Sequence, residues 1–137
     1  MAKIHKHLMI DAEITHPPTD TALTEAWVRD IIKAIDMEVF IPPVAKYCDD
    51  PCNEGLSVFA MITTSHFTAH FWNNNGKPFV KADLYSCKGY DPQTVIPFFN
   101  VFEPVSLEYS VIDRTQFPHK IETQGQIVYN DQTILES

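Results

Sequence analysis

Apolar residues recur along this chain with two different periods. Residues 4–10 form a short strand-like run, and the break His16-Pro17-Pro18 that follows is one no helix crosses, since proline lacks an N–H and crowds the preceding turn. Between residues 21 and 37 the period lengthens. Leu23, Trp27, Ile31 and Ile35 return every fourth position with Ala26 and Ala34 beside them, the apolar stripe of a helix that must lie on something, and a sheet is the expected support. Residues 39–41 read as a short strand ending at Pro42-Pro43, and 46–55 as a polar loop carrying Cys48, Pro51, Cys52 and Gly55.

The middle of the chain is strand-like. Residues 57–63 form an apolar run suited to a buried strand, while 67–72 and 79–85 flank Asn73-Asn74-Asn75-Gly76-Lys77, whose Asn-Gly step predicts an antiparallel hairpin. Asp91-Pro92 is a helix start, an N-cap followed by proline at the first helical position; Val95, Ile96, Phe98, Phe99 and Phe102 follow, with Pro97 set to kink or shorten the helix. Residues 106–113 alternate, with Leu107, Tyr109 and Val111 on one face, and predict a last core strand. Past Arg114 the pattern weakens, so 115–137 reads as a peripheral C-terminal tail with one strand near 127–129. The order strand, helix, strands, helix, strand predicts an α+β two-layer sandwich, a mostly antiparallel sheet with helices packed on one face.

At 137 residues and 15.6 kDa the chain suits one domain, and 45% hydrophobic with 20% charged residues is ordinary globular usage. No apolar run approaches the ~20 residues that span a bilayer, and the opening Met1-Ala2-Lys3-Ile4-His5-Lys6 is strand-like rather than a signal peptide, so a soluble cytoplasmic protein is expected. A formal charge of −8 repels phosphate backbones and excludes a basic nucleic-acid stripe, while it tolerates a cationic ligand. Cys48, Cys52 and Cys87 are too few for a disulfide framework or a four-thiolate zinc site; Cys48 and Cys52 either pair or are plain thiols.

Reactive side chains are densest in Thr63-Thr64-Ser65-His66-Phe67-Thr68-Ala69-His70-Phe71-Trp72 and Asp83-Leu84-Tyr85-Ser86-Cys87. His66 and His70 would share a face of a zinc-binding helix, but the surrounding β-branched and aromatic residues favour a strand, and Phe67 stands where the zinc-protease motif needs glutamate. No metal is expected there. The bland alternative leaves both histidines simply on one strand face. Ser65 and His70 are five apart, so on an unbroken strand they point to opposite faces, and a bulge or a turn at Ser65 is expected if they act together. Backbone strain at that point would bring the peptide nearer a cyclic intermediate.

The run Gly55-Leu56-Ser57-Val58-Phe59-Ala60-Met61-Ile62-Thr63-Thr64-Ser65-His66-Phe67-Thr68-Ala69-His70-Phe71-Trp72, with Asp83-Leu84-Tyr85-Ser86-Cys87 after it and His7-Leu8 near the start, resembles the core of prokaryotic S-adenosylmethionine decarboxylases. The likeness follows element order over residues 4–114, is most specific over 55–87, and implies one such domain over 1–114. It implies a self-processed, pyruvoyl-dependent enzyme. The Ser65 hydroxyl attacks the carbonyl of Thr64, amide becomes ester, and β-elimination cuts the chain between Thr64 and Ser65. Ser65 becomes a pyruvoyl cap on the C-terminal fragment, and residues 1–64 stay as a separate, non-covalently held chain. A Schiff base between the substrate amine and that carbonyl spreads the charge left when carbon dioxide departs, the electron-sink role of pyridoxal phosphate elsewhere. The resemblance further implies that Ser57 and His70 assist processing, that Cys87 protonates the product carbanion, and that processed chains form a homodimer with active sites near the interface. A thiol with an ordinary pKa of about 8.5 suits that proton transfer.

The chain departs from the family at defined points. Thr64 stands where glutamate usually precedes the processing serine. The ring that stacks on adenine would align near Pro51, and the glutamate that binds the ribose hydroxyls near Asn73 or Asn74, in a turn two residues longer. On this reading Tyr47 supplies the ring, Asn74 hydrogen-bonds, and Phe71 or Trp72 faces the sulfonium by cation–π attraction. The expected activity is decarboxylation of S-adenosylmethionine, a small cationic amino-acid derivative, to the aminopropyl donor for spermidine. Two alternatives stand beside it: the same pyruvoyl chemistry on ornithine or arginine, and an unprocessed, non-catalytic relative that binds a partner.

Overall fold

Alternation along the first strand separates two faces of a sheet. In the computed structural model, which describes residues 4–129, β1 (Lys6–Ile14) buries Leu8, Ile10, Ala12 and Ile14 and exposes Met9, Asp11 and Glu13. The remaining elements are α1 (Thr21–Ala34), β2 (Val39–Cys48), β3 (Gly55–Ile62), β4 (Ser65–Trp72), β5 (Phe79–Ser86), α2 (Pro92–Val95), β6 (Pro104–Asp113) and β7 (Lys120–Val128). Each neighbouring pair is antiparallel, in the order β2-β3-β4-β5-β1-β6-β7. The expected α+β two-layer architecture holds: helices cover one face, and among the described residues no helix lies on the other, which mixes polar side chains with exposed Met9, Phe59 and Met61.

Helix α1 starts where Asp20 accepts a hydrogen bond from the Leu23 N–H at 3.0 Å, an N-cap. It buries Thr24, Val28, Ile31 and Ile32, so the stripe is rotated from the expected one, and Leu23 is 70% exposed. The sheet also stops the helix early, at Ala34 rather than residue 37, because Asp36 turns left-handed (φ 60°) to lead the chain back toward β2. Trp27 is the keystone of the layer: its ring lies 5.0–6.0 Å from Phe67, Phe71, Phe99 and Phe102, and its Nε1–H donates to the Phe98 carbonyl at 2.8 Å.

Three other expectations shift. Strand β2 runs through Pro42-Pro43 to Cys48 instead of ending there; as a sheet edge it needs fewer N–H donors, and its register slips at Ile41 and Val44. The polar loop is correspondingly shorter. Pro97 does cut α2 to one turn, which continues as a 3-10 segment over Ile96–Phe102. The region read as a tail holds β7, which pairs with β6 at the opposite edge over Lys120–Val128, longer and earlier than residues 127–129; most of it is exposed, which is why its hydrophobic pattern is weak. Met1-Ala2-Lys3 and residues 130–137 lie outside the described residues.

Candidate active site

Strands β3 and β4 are joined by only two residues, Thr63 and Thr64, since Ile62 pairs directly with Ser65. So short a turn forces a left-handed residue, and the chain places Thr64 there (φ 60°), where glycine or asparagine would ordinarily sit. A β-branched residue at positive φ is strained by roughly 1–2 kcal/mol. Its Oγ1 donates to the Thr63 carbonyl at 2.6 Å and lies 2.7 Å from Cys87 Sγ. The hydroxyl has a single proton, so with that proton on the carbonyl the thiol is the donor toward Thr64.

Ser65, the next residue, is 4% exposed on the helix-covered face. Its Oγ donates to Ser86 Oγ at 3.4 Å and accepts the Cys87 N–H at 3.3 Å. Ser86, fully buried, is pinned in turn by Lys88, accepting from its N–H at 2.9 Å and donating to its carbonyl at 2.8 Å. A cleft of about 400 Å³ opens on this point, walled by Met37, Glu38, Thr63, Ser65, Cys87 and Lys88. The Lys88 ammonium donates to the Asp36 carbonyl at 2.8 Å. Sequence reading missed Asp36, Glu38, Ser86 and Lys88, whose only signal was adjacency to Cys87 or to the end of α1.

Ser57 and His70 also meet, through Ser57 Oγ and His70 Nδ1 at 2.8 Å, because they are direct cross-strand partners. They do not meet Ser65. The β3–β4 register is unbroken from Ser57↔His70 to Ile62↔Ser65, so the turn lies just before Ser65 and leaves β4 regular. Ser65 faces the helices and His70 the open face, about five residues or roughly 16 Å away along the strand. His66 and His70 lie on strand β4, as their β-branched and aromatic neighbours predict, and at same-parity positions share its open face.

The proposed substrate residues split. Tyr47 donates to Glu54 Oε2 at 2.9 Å and accepts from Asn73 Nδ2 at 2.8 Å. The Asn73 bond lowers the Tyr47 pKa, but the bond to Glu54 and its negative charge outweigh it and hold the phenol above its ordinary value. Trp72 stacks on Phe79 (4.9 Å) and lines a 380 Å³ cavity with Pro51, Cys52, Glu54, Asn73 and Asn74. Phe71 does not belong with them: it is 2% exposed, packed against Phe102 and Trp27, and unavailable to a substrate, since its parity on β4 is that of the core. Glu54 was missed, because sequence gives no hint that the β2–β3 loop folds against Asn73. Cys48 and Cys52 are exposed and form no disulfide.

Residues 6–115 match the family model for S-adenosylmethionine decarboxylase. Among curated proteins, the S-adenosylmethionine decarboxylase proenzyme of Pyrobaculum arsenaticum is 33% identical over 67 residues, which cover 47% of this chain and 52% of that protein. The chain thus spans about half the length of the curated relative it matches. Among solved structures, the Trypanosoma brucei AdoMetDC monomer is similar with a TM-score of 0.52 and 12% identity, over 80% of this chain and 46% of that one. At that identity the likeness is one of fold.

Proposed function

The chain belongs to the S-adenosylmethionine decarboxylase family, and from that premise we propose that it decarboxylates S-adenosylmethionine, supplying an aminopropyl donor for spermidine, with a pyruvoyl group made from its own Ser65. The observation that carries this reading is Thr64 held at φ 60° immediately before a buried serine. Strain at the residue to be cut raises the ground state of the peptide bond relative to the cyclic intermediate.

In the processing step Ser65 Oγ bonds to the Thr64 carbonyl carbon as the Thr64–Ser65 C–N bond breaks, giving an ester and a free Ser65 amine. Loss of the Ser65 Cα proton then expels the Thr64 carboxylate, and hydrolysis of the resulting enamine releases ammonia. The surroundings fit the product: Ser65 lies on the wall of the cleft, with the Cys87 N–H on its oxygen and Lys88 nearby. Once formed, the pyruvoyl carbonyl supplies the electron sink that decarboxylation needs. Cys87 Sγ lies beside the cut, 2.7 Å from Thr64 Oγ1, and is the group to deliver a proton to the product carbon.

The separation of Ser57–His70 from Ser65 supports a homodimer. Within one chain the pair is out of reach of the scissile peptide, whereas a second copy packed in the opposite direction brings its own pair to this chain's turn. The Trp72, Asn74 and Glu54 cavity lies at that same far end and would travel with it.

Denaturing mass spectrometry of the purified chain tests the reading. Two fragments split between Thr64 and Ser65 are expected, the C-terminal one lighter than its serine form, with a single uncut, inactive chain for Ser65→Ala. Carbon dioxide release from S-adenosylmethionine, but not from ornithine or arginine, fixes the substrate. A wild-type chain that stays whole, or Ser65→Ala with undiminished activity, overturns it.

A further inference from the structure

Strand β5 lies between β4 and β1, and this order gathers three ligating side chains on the open face. His66 and His7 are both registered opposite Tyr85, one from each side, and Asp83 is two residues along on the same face. His7 Nε2 is 3.6 Å from Asp83 Oδ2, His66 Nε2 is 3.9 Å from Asp83 Oδ1, and the three ligand atoms all lie within 4.8 Å of one another. These gaps are too long for hydrogen bonds. His7 Nε2 and Asp83 Oδ1 are in fact buried atoms with no hydrogen-bond partner, an arrangement folded proteins rarely leave without a purpose.

We propose that His7, His66 and Asp83 form a binding site for a first-row divalent transition-metal ion. A tetrahedral ion with bonds of ~2.1 Å holds its ligand atoms ~3.4 Å apart, so side-chain shifts of under about 1 Å close the site. Two imidazoles and one carboxylate suit zinc, cobalt or nickel better than magnesium or calcium, which take oxygen ligands. Three protein ligands leave a position for water. The site opens there onto a cavity of about 460 Å³, which His66 and Asp83 line with Thr68, His70 and Lys81. The Lys81 ammonium is engaged by Asp11 at 3.2 Å.

Arg114 opposes the ion. Its Nη1 donates to His7 Nδ1 at 3.1 Å, which places the proton of a neutral His7 ring on Nε2. Loading needs that nitrogen's lone pair, so the proton moves to Nδ1 and the Arg114 hydrogen bond is given up, while the guanidinium keeps its seat over the Tyr85 ring, 4.8 Å from the centroid.

The test is titration of the purified protein, cut or uncut, carrying Cys48→Ser and Cys52→Ser, which removes the exposed thiols as competing ligands. Zinc chloride is followed by calorimetry and cobalt(II) by its visible absorption. One ion per chain is expected, with the intense d–d bands of a low-coordinate nitrogen and oxygen site. His7→Ala, His66→Ala and the near-isosteric Asp83→Asn each weaken binding roughly tenfold or more, and Arg114→Gln tightens it. Circular dichroism confirms that each variant is folded, and the cobalt spectrum of the parent chain stands even where a variant is not. No bound ion, or an affinity that none of the three ligand substitutions changes, overturns the proposal.

Discussion

The two ends of the β3–β4 hairpin hold their reactive groups by different means. At the turn end, Ser65 and Cys87 are placed by backbone: a two-residue connection strains Thr64, and buried hydroxyls and N–H groups fix the serine oxygen. At the far end, Ser57 and His70 are placed by register alone, facing each other across two strands on the open side. Under the proposed function, the bond to be cut is prepared within one chain, whereas the Ser57–His70 pair sits where a second chain would use it.

The sharpest way to break this comparison is His70→Ala. Cleavage is expected to slow roughly a hundredfold or more, the usual scale of a lost acid–base group. Co-expression with Ser65→Ala chains, which keep their own His70, should restore cutting of the His70→Ala chain, read by mass spectrometry. Without that rescue, action between two chains is refuted. Gly55→Ala attacks the far end through its backbone: the new Cβ would sit 1.8 Å from the Phe71 carbonyl oxygen, at φ 154°. About 3 kcal/mol or more of stability should be lost in urea unfolding, through displacement of β3 where it starts.

Thr64→Asn tests the turn end. Asparagine accepts the left-handed region more readily, so about 1 kcal/mol of strain should be relieved; cleavage would slow roughly fivefold, and the uncut Ser65→Ala chain would gain a similar amount of stability. An unchanged rate would show that strain is idle. The smallest effect belongs to Tyr90, whose OH accepts from the Leu8 N–H at 3.1 Å and donates to the Leu84 carbonyl at 2.8 Å, tying β1 to β5 toward the turn end, where Leu84 pairs with Phe67. Tyr90→Phe should cost about 1 kcal/mol at neutral pH. Burial raises the Tyr90 phenol well above its ordinary value. Its contribution is therefore complete below pH ~10 and is lost as pH rises through the raised value, so wild-type stability should fall in strong alkali with a slope that Tyr90→Phe lacks.

Much of the fold was legible because period reports on element type. The fourth-residue spacing in α1, the Asn-Gly step between β4 and β5, and Asp91-Pro92 at α2 each carry their physics locally, and the motif around Ser65 led to the family. Less was legible where a neighbour decides. Leu23 and Thr24 are equally consistent with a helix, but only the position of the sheet buries the threonine and leaves the leucine in water. Pro42-Pro43 look like an ending until β2 proves to be an edge, where a missing donor costs little.

For the site the division is similar. Sequence by itself determined which chemistry is present and on which parity of each strand, because alternation is a property of the backbone. Tertiary structure alone decided that Phe71 is core rather than substrate contact, that Thr64 takes the strained place in the turn, and that His66 lies beside His7 and Asp83. Those outcomes depend on which strands become neighbours and in what register, and residues far apart in the chain settle that together.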